Sequence, residues 1–251
     1  MEELILPKDQ GVFETILFDK GELQLKELHF DRLLRGIKGL DLNVSNDISV
    51  SYLEQQIMDT IQANEVSDIC RVRLRVYQGK DTADLASFLI ECFSLDRKLT
   101  VLNDQGLILG IADDIIKPES NYKRSYTKFY SQAANAISNN NWDDVLVLNQ
   151  HGNIIESSIA NVFWIKNNII YTPPLSEGCV EGVMRRYIIE TLQRENITIQ
   201  SIPLTREILL QADEVFITNS IRRIKWVANT IGVDFGHTLT DQLYYHLFPQ
   251  S

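Results

Sequence analysis

A chain of 251 residues, 44% apolar and 23% charged, is long enough for one large domain or two modest ones with hydrophobic cores, which excludes disordered and fibrous classes. Its 24 Lys and Arg against 34 Asp and Glu give a formal charge of −10 with no basic run, and this excludes a general nucleic-acid binder, whose affinity needs a cationic face. No apolar stretch approaches the ~20 residues of a membrane helix, and Met1-Glu2-Glu3-Leu4 lacks the profile of a secretory signal, so neither membrane nor nucleic acid is an expected partner and the expected compartment is the cytoplasm.

In chain order, residues 11–18 read as a strand, 19–21 as a turn, and 27–40 as an amphipathic helix with apolar residues near i, i+3 and i+4. Residues 51–63 predict a second helix with Leu53, Ile57 and Ile61 on one stripe. Residues 71–77 alternate cleanly and put Arg71, Arg73 and Arg75 on one strand face; 86–94 reads as the pairing strand, and 99–111 continues the β pattern. The polar segment 113–122, with Pro118, interrupts the periodicity and reads as an interdomain linker. A helix over 125–138 follows. Strands are expected at 145–148, 161–165 and 169–172, separated by turns at 149–153 and 166–168, and a helix after Gly182 carries Met184, Tyr187, Ile188 and Leu192 on its apolar stripe. Strand 198–202, helix 205–211, strands 214–218 and 224–228 and a helix near 239–247 complete the chain. The pattern predicts an α+β fold with a small N-terminal domain at 1–112, the linker at 113–122 and a larger β-rich C-terminal domain at 123–251.

Chemistry-bearing residues gather at few places. Cys70, Cys92 and Cys179 are scattered without metal-ligand spacing and read as buried thiols, so no metal site is expected. Residues 178–186 place Gly182 at the start of a helix, where free backbone N–H groups and the positive dipole end favour an anion. Thr218-Asn219-Ser220 ends a strand with three small polar side chains. In Glu156-Ser-Ser-Ile-Ala-Asn161 a carboxylate and an amide bracket the entry to an apolar strand. Lys117, Lys123 and Lys128 cluster near the expected domain boundary, where small-molecule clefts are common, and spacing alone selects none of them.

Six ordered segments together resemble the class IV, fold-type IV family of pyridoxal-phosphate enzymes, which includes branched-chain and D-amino-acid aminotransferases and aminodeoxychorismate lyase. They are Gly11-Val-Phe-Glu-Thr-Ile16, His29-Phe-Asp-Arg-Leu33, Glu156 to Trp164, Tyr171-Thr-Pro-Pro-Leu175, Glu181-Gly-Val-Met-Arg185 and Ala212 to Ser220. The resemblance covers nearly the whole chain and implies a two-domain fold-type IV architecture, pyridoxal 5'-phosphate as cofactor, a small-molecule amine as substrate and a homodimer. It implies Lys123, thirty-three residues before Glu156, as the Schiff-base lysine, with Lys128 and then Lys117 as alternatives, since the segment 121–128 departs from better-known family patterns. A lysine amine can bond to the cofactor aldehyde and then shuttle protons as a free base.

By the same resemblance Glu156 faces the pyridine nitrogen and keeps it protonated. Arg32, the backbone of Gly182, Val183 and Met184, and the Ser220 hydroxyl hold the cofactor phosphate, and Asn219 is a further cofactor-binding residue. Backbone groups of Ile221 and Arg222 are candidates for the substrate carboxylate, as is Arg73, the best match among the three strand arginines. His29 receives a packing role, and His151, His237 and His246 no chemistry. The segment before Phe13-Glu14-Thr15 is shorter than relatives carry, which implies a missing or rebuilt wall of the substrate pocket.

Phrases such as Asn161-Val-Phe-Trp164, Thr172-Pro-Pro-Leu-Ser-Glu-Gly-Cys179 and Thr218-Asn-Ser-Ile221 look more like the aminodeoxychorismate lyase branch than the branched-chain aminotransferases. They imply a lyase that releases pyruvate from 4-amino-4-deoxychorismate and leaves 4-aminobenzoate for folate synthesis. An amino acid aminotransferase is the alternative within the family. A cofactor-binding relative without catalysis is the alternative outside enzymology.

Overall fold

A computed structural model of the chain describes residues 11–249 apart from 46–47, 67, 79–84 and 125–126. The chain divides into two compact units, Met1–Arg97 with Tyr122–Thr127, and Lys98–Asn121 with Lys128–Ser251.

In the smaller unit, β1 (Gly11–Asp19) and β2 (Glu22–Leu23) are joined through Lys20 and Gly21, both at positive φ. Helices α1 (Lys26–Gly39) and α2 (Val50–Ala63) follow, the latter capped by the Ser49 hydroxyl accepting from the Tyr52 N–H at 3.1 Å. Strands β3 (Ile69–Tyr77) and β4 (Ser87–Ser94) complete an antiparallel sheet of order β2-β1-β3-β4. The period of two in β1 sends Val12, Ile16 and Phe18 into a core shared with Phe30 and Leu33 of α1, Leu53, Ile57 and Ile61 of α2, and Val72, Leu74 and Val76 of β3. Burying each such side chain contributes about 1.5–3 kcal/mol relative to leaving it exposed. Glu14 occupies the same inward row, between Val12 and Ile16, and is the one carboxylate on that face of β1.

The larger unit begins with β5 (Leu107–Ile116). It continues through α3 (Thr127–Asn140), β6 (Asp144–Leu148), β7 (Ile154–Ser157), β8 (Asn161–Lys166), β9 (Ile169–Thr172), α4 (Val183–Arg194), β10 (Ile199–Ser201), α5 (Arg206–Leu210), β11 (Glu214–Asn219), β12 (Arg223–Thr230), β13 (Val233–Asp234) and α6 (Thr238–Leu247). Its sheet has the order β10-β9-β8-β11-β12-β5-β6-β7, with β13 on β12, and an added pairing of β7 with β8 closes six of these strands into a barrel. Closure removes the free edges of those strands. All five residues of β6 are buried, as a strand covered on both faces requires.

The observed division differs from the expected boundaries at 112 and 122. The apolar run of β5 pairs in parallel with β6, Gly110 opposite Val145 and Ile111 opposite Leu146, so this strand belongs to the larger unit. Residues 113–116, expected as linker, are its last four residues. The chain then returns to the smaller unit, where the Phe13 N–H donates to the Lys123 carbonyl at 3.0 Å and Val12 bridges to Arg124. Strand character expected from residue 99 starts only at Leu107, because residues 97–100 form a short helical turn. Among the described residues no helix is long and apolar enough to cross a membrane, and no group of three His, Cys, Asp or Glu is arranged to hold a metal.

Candidate active site

The barrel closes where Glu156 of β7 lies opposite Asn161 of β8. Both side chains are buried, and burying a carboxylate is costly unless its oxygens are satisfied. Three donors do so here. The Lys117 ammonium lies 3.0 Å from Glu156 Oε1, while Oε2 accepts from the Val180 N–H at 3.0 Å and from Asn161 Nδ2 at 3.2 Å. A carboxylate offers about four lone-pair sites, so one acceptor position remains for a further donor. Lys117 lies just beyond β5, is 4% exposed, and also donates to the Gly178 carbonyl at 3.0 Å. Asn161 Nδ2 additionally reaches the Val180 carbonyl at 2.8 Å, tying the loop before α4 to the barrel seam.

That loop ends at Gly182, the N-cap of α4, and Val183, Met184 and Arg185 form a buried first turn. The N–H groups of a first turn have no partners within the helix and point toward an incoming anion. Gly182 is required by a close approach, since a Cβ there would fall 1.9 Å from Asn161 Oδ1. Arg185 donates to the Pro173 carbonyl at 3.0 Å. The Cys179 thiol beside this loop is pushed up to about 12 by burial and by the charge of Glu156, so it stays neutral.

At the end of β11, Asn219 Oδ1 accepts from the Ile221 and Arg222 N–H groups at 3.0 and 2.8 Å. These two donors, expected from the resemblance to meet a substrate carboxylate, are thus engaged by an Asn side-chain turn within the chain itself. The Thr218 hydroxyl is used structurally, donating to the Arg223 carbonyl at 2.7 Å. Ser220 follows β11 and is half-buried. Nearby in sequence to Glu156, the Ser158 hydroxyl donates to Asp144 Oδ1 at 2.5 Å. Burial raises the Asp144 carboxyl above its ordinary value, and Ser158, Ser157, the Val145 N–H and the Arg222 charge offset this only in part.

The smaller unit holds the remaining expected residues. Arg32, three residues after His29 on α1, pairs with Glu14 through Nε at 2.8 Å and through Nη2, a bidentate arrangement. His29 Nδ1 lies 2.6 Å from Glu14 Oε2. Burial alone would raise the Glu14 carboxyl, but the Arg32 charge and the hydrogen bond from His29 outweigh it and hold the carboxyl at about 2. Because Glu14 is ionised, Nδ1–H is the donor; burial depresses the His29 imidazole below its ordinary value and keeps it neutral. The packing role expected for His29 therefore includes a hydrogen bond that orients the carboxylate holding Arg32.

Of the three candidate lysines, Lys117 is buried on Glu156, Lys123 is half-buried with its ammonium 5.0 Å from the centre of the Phe13 ring, and Lys128 is exposed on α3. Arg75 pairs with Glu91 at 3.1 Å, whereas Arg71 and Arg73 stand over the Phe93 ring at 4.6 and 5.8 Å. Cys70 is buried and Cys92 half-buried on neighbouring strands. The expectation that ranked Lys117 last missed its partnership with Glu156. A signal existed in the pattern: Lys117 continues the inward row of Ile115, with Ile116 exposed between them.

Residues 11–229 match the family model described as amino-transferase class IV. The chain is 30% identical over 224 residues to aminodeoxychorismate lyase of Bacillus subtilis (strain 168), covering 85% of this chain and 75% of that one. A crystal structure from Legionella pneumophila, provisionally named as a 4-amino-4-deoxychorismate lyase, superposes with a TM-score of 0.85 at 22% identity, covering 100% of this chain and 98% of that one. A T.th. branched-chain amino acid aminotransferase complexed with N-(5'-phosphopyridoxyl)-L-glutamate superposes with a TM-score of 0.81 at 19% identity, covering 95% and 84%. These superpositions give the fold as the two-domain fold-type IV architecture. With a family model spanning most of its length, the chain belongs to the class IV aminotransferase family of enzymes.

Proposed function

We propose that this protein is a pyridoxal-phosphate-dependent lyase that converts 4-amino-4-deoxychorismate into 4-aminobenzoate and pyruvate. The observation that supports a pyridine cofactor is the buried Glu156 carboxylate, fixed by three donors with one acceptor position left for a ring N–H. The 30% identity to a lyase over most of both chains favours elimination over amino transfer. When bound, the cofactor supplies an aldehyde carbon that an amine can attach to and a ring that accepts electrons.

In this reading Glu156 holds a proton on the ring nitrogen. The Val183 and Met184 N–H groups at the start of α4, with the Ser220 hydroxyl, bind phosphate oxygens. Lys123 supplies the amine, and in its free neutral form it takes the proton from the substrate ring carbon. As that C–H bond breaks, its electron pair makes the ring aromatic while the C–O bond to the enolpyruvyl group breaks; the oxygen departs with the bond pair as the enolate of pyruvate, and the proton taken up by Lys123 passes to the enolate's methylene carbon to give pyruvate. Arg73 is the side chain assigned to a substrate carboxylate; the Ile221 and Arg222 N–H groups, held by Asn219, need that turn to open before they can take part. The active form is a homodimer.

The test has two stages. Protein incubated with pyridoxal phosphate, reduced with borohydride and mapped by peptide mass spectrometry carries the reduced adduct on Lys123. Given 4-amino-4-deoxychorismate, it then releases 4-aminobenzoate and pyruvate in equal amounts, and Lys123→Ala releases neither. Transfer of an amino group from an amino acid to an oxo acid, without any aromatic amine, would instead support the aminotransferase reading that the family name favours. A loaded protein that does neither is a non-catalytic relative.

A further inference from the structure

The assignment of Glu156 to the cofactor nitrogen leaves Lys117 unexplained. A buried lysine carries a large desolvation cost, and a strand end offers easy routes for an ammonium to reach water. Lys117 does not take one. It is 4% exposed, and its ammonium is fixed between Glu156 Oε1 and the Gly178 carbonyl, each at 3.0 Å, with a longer contact to the Ser120 carbonyl at 3.5 Å. The two nearer acceptors belong to elements that frame the carboxylate: β7 carries Glu156, and Gly178 sits at positive φ in the loop whose Val180 N–H binds the other carboxylate oxygen. The ammonium therefore clamps the loop and the carboxylate together.

Resting on the function proposed above, we infer that Lys117 is a positioning residue for the cofactor: by sharing the charge of Glu156 and fixing its carboxylate, it sets how tightly the ring nitrogen holds its proton. A carboxylate already paired with an ammonium is a weaker acceptor for a second cation than a bare one. Lys117 thus tempers the electron demand of the ring, while Asn161 and the Val180 N–H keep the carboxylate in place. Among the described residues, the Cys179 thiol, which is neutral, and the Arg185 guanidinium, which is held on the Pro173 carbonyl, also interact with Glu156.

The experiment uses pyridoxal phosphate labelled with nitrogen-15 in the ring, bound to the intact protein, with the protonation of that nitrogen followed by NMR across pH. In Lys117→Met the nitrogen holds its proton about tenfold more tightly or better, the scale of removing the cation that neutralises its carboxylate partner, and Lys117→Arg restores the native midpoint. An unchanged midpoint in Lys117→Met overturns the inference, as does borohydride trapping that finds the adduct on Lys117. Should Lys117→Met fail to fold, the Lys117→Met/Glu156→Gln double variant decides: recovery of the fold shows that the ammonium acts on Glu156, and continued failure assigns Lys117 a packing role and overturns the inference. A native chain that takes up no pyridoxal phosphate overturns the broader functional reading first, which separates the two failures.

Discussion

The Cα of Gly182 stands so close to Asn161 that a methyl group there would fall 1.9 Å from the Asn161 side-chain oxygen. With φ at −65°, the position does not need glycine for its backbone conformation; it needs glycine for space. Gly182→Ala is expected to push Asn161 aside, breaking its bonds to Glu156 and to the Val180 carbonyl. Overpacking of this kind costs about 1–3 kcal/mol. Thermal unfolding of Gly182→Ala, Asn161→Ala and the double variant checks the origin of the cost. The double variant should be no less stable than Asn161→Ala alone, and a fully additive pair would show that the crowding lies elsewhere.

Glu14, His29 and Arg32 make acid stability a direct readout of one cluster. The Glu14 carboxyl is held at about 2 against an ordinary value of 4.5, so the unfolded chain binds the proton more tightly and stability is lost as pH falls through that interval. The difference amounts to about 3 kcal/mol. His29, depressed below 6.5, adds a loss that begins at higher pH, because unfolding lets the imidazole take a proton that burial denies it. Glu14→Gln should be much less stable than the native protein at pH 7, with Arg32 left buried and uncompensated, and should show a flatter decline below pH 4.5. Chemical denaturation between about pH 2 and 8 measures both, and an unchanged acid limb in Glu14→Gln would contradict the assignment.

The three thiols, read from their scatter as buried, are expected to be inert. Burial pushes the Cys70 and Cys179 thiols up to about 12 and raises that of Cys92 as well. At pH 8 a thiol near 12 is ionised to only about one part in ten thousand, and the thiolate is the nucleophile. Native protein treated briefly with iodoacetamide at pH 8 should retain its mass, and denatured protein should gain three adducts. Rapid single modification of Cys179 in the native state would show that the loop before α4 opens readily.

Much of this arrangement is legible in the residues because periodicity reports local structure. The alternation of β3, the stripes of α1 and α2, and a glycine opening α4 are short-range signals, and the elements form where those signals lie. Pairing partners are different. Nothing local in Leu107–Ile116 says that it will lie parallel to β6, since that choice is made by residues some thirty-five positions on, and the expected domain boundary was therefore displaced. The same limit hid Lys117, whose partner is thirty-nine residues away and on another strand. Ile221 and Arg222 illustrate a third limit. Their N–H groups were placed at a substrate carboxylate by the family resemblance alone, and whether such donors face a ligand or a neighbouring side chain depends on one torsion of Asn219.

Asp144 offers a test of opposite sign to Glu14. Its carboxyl is raised above 3.8 chiefly by burial, so the native state binds the proton more tightly than the unfolded chain, and stability falls as pH rises from 3.8 through the raised value. Above that interval the cost of the buried charge persists. Asp144→Asn keeps an oxygen for the Ser158 hydroxyl and the Val145 N–H while removing the charge, so it should match or exceed the native stability at pH 7 and flatten the slope above pH 4. Asp144→Ala removes the acceptor itself and should cost about 1–3 kcal/mol, since the hydroxyl and the N–H are then buried without a partner. Melting temperatures of both variants between pH 4 and 8 separate charge from hydrogen bonding. If Asp144→Asn proved as unstable at pH 7 as Asp144→Ala, the ionised carboxylate would have to be stabilising, through Arg222, by more than its burial costs.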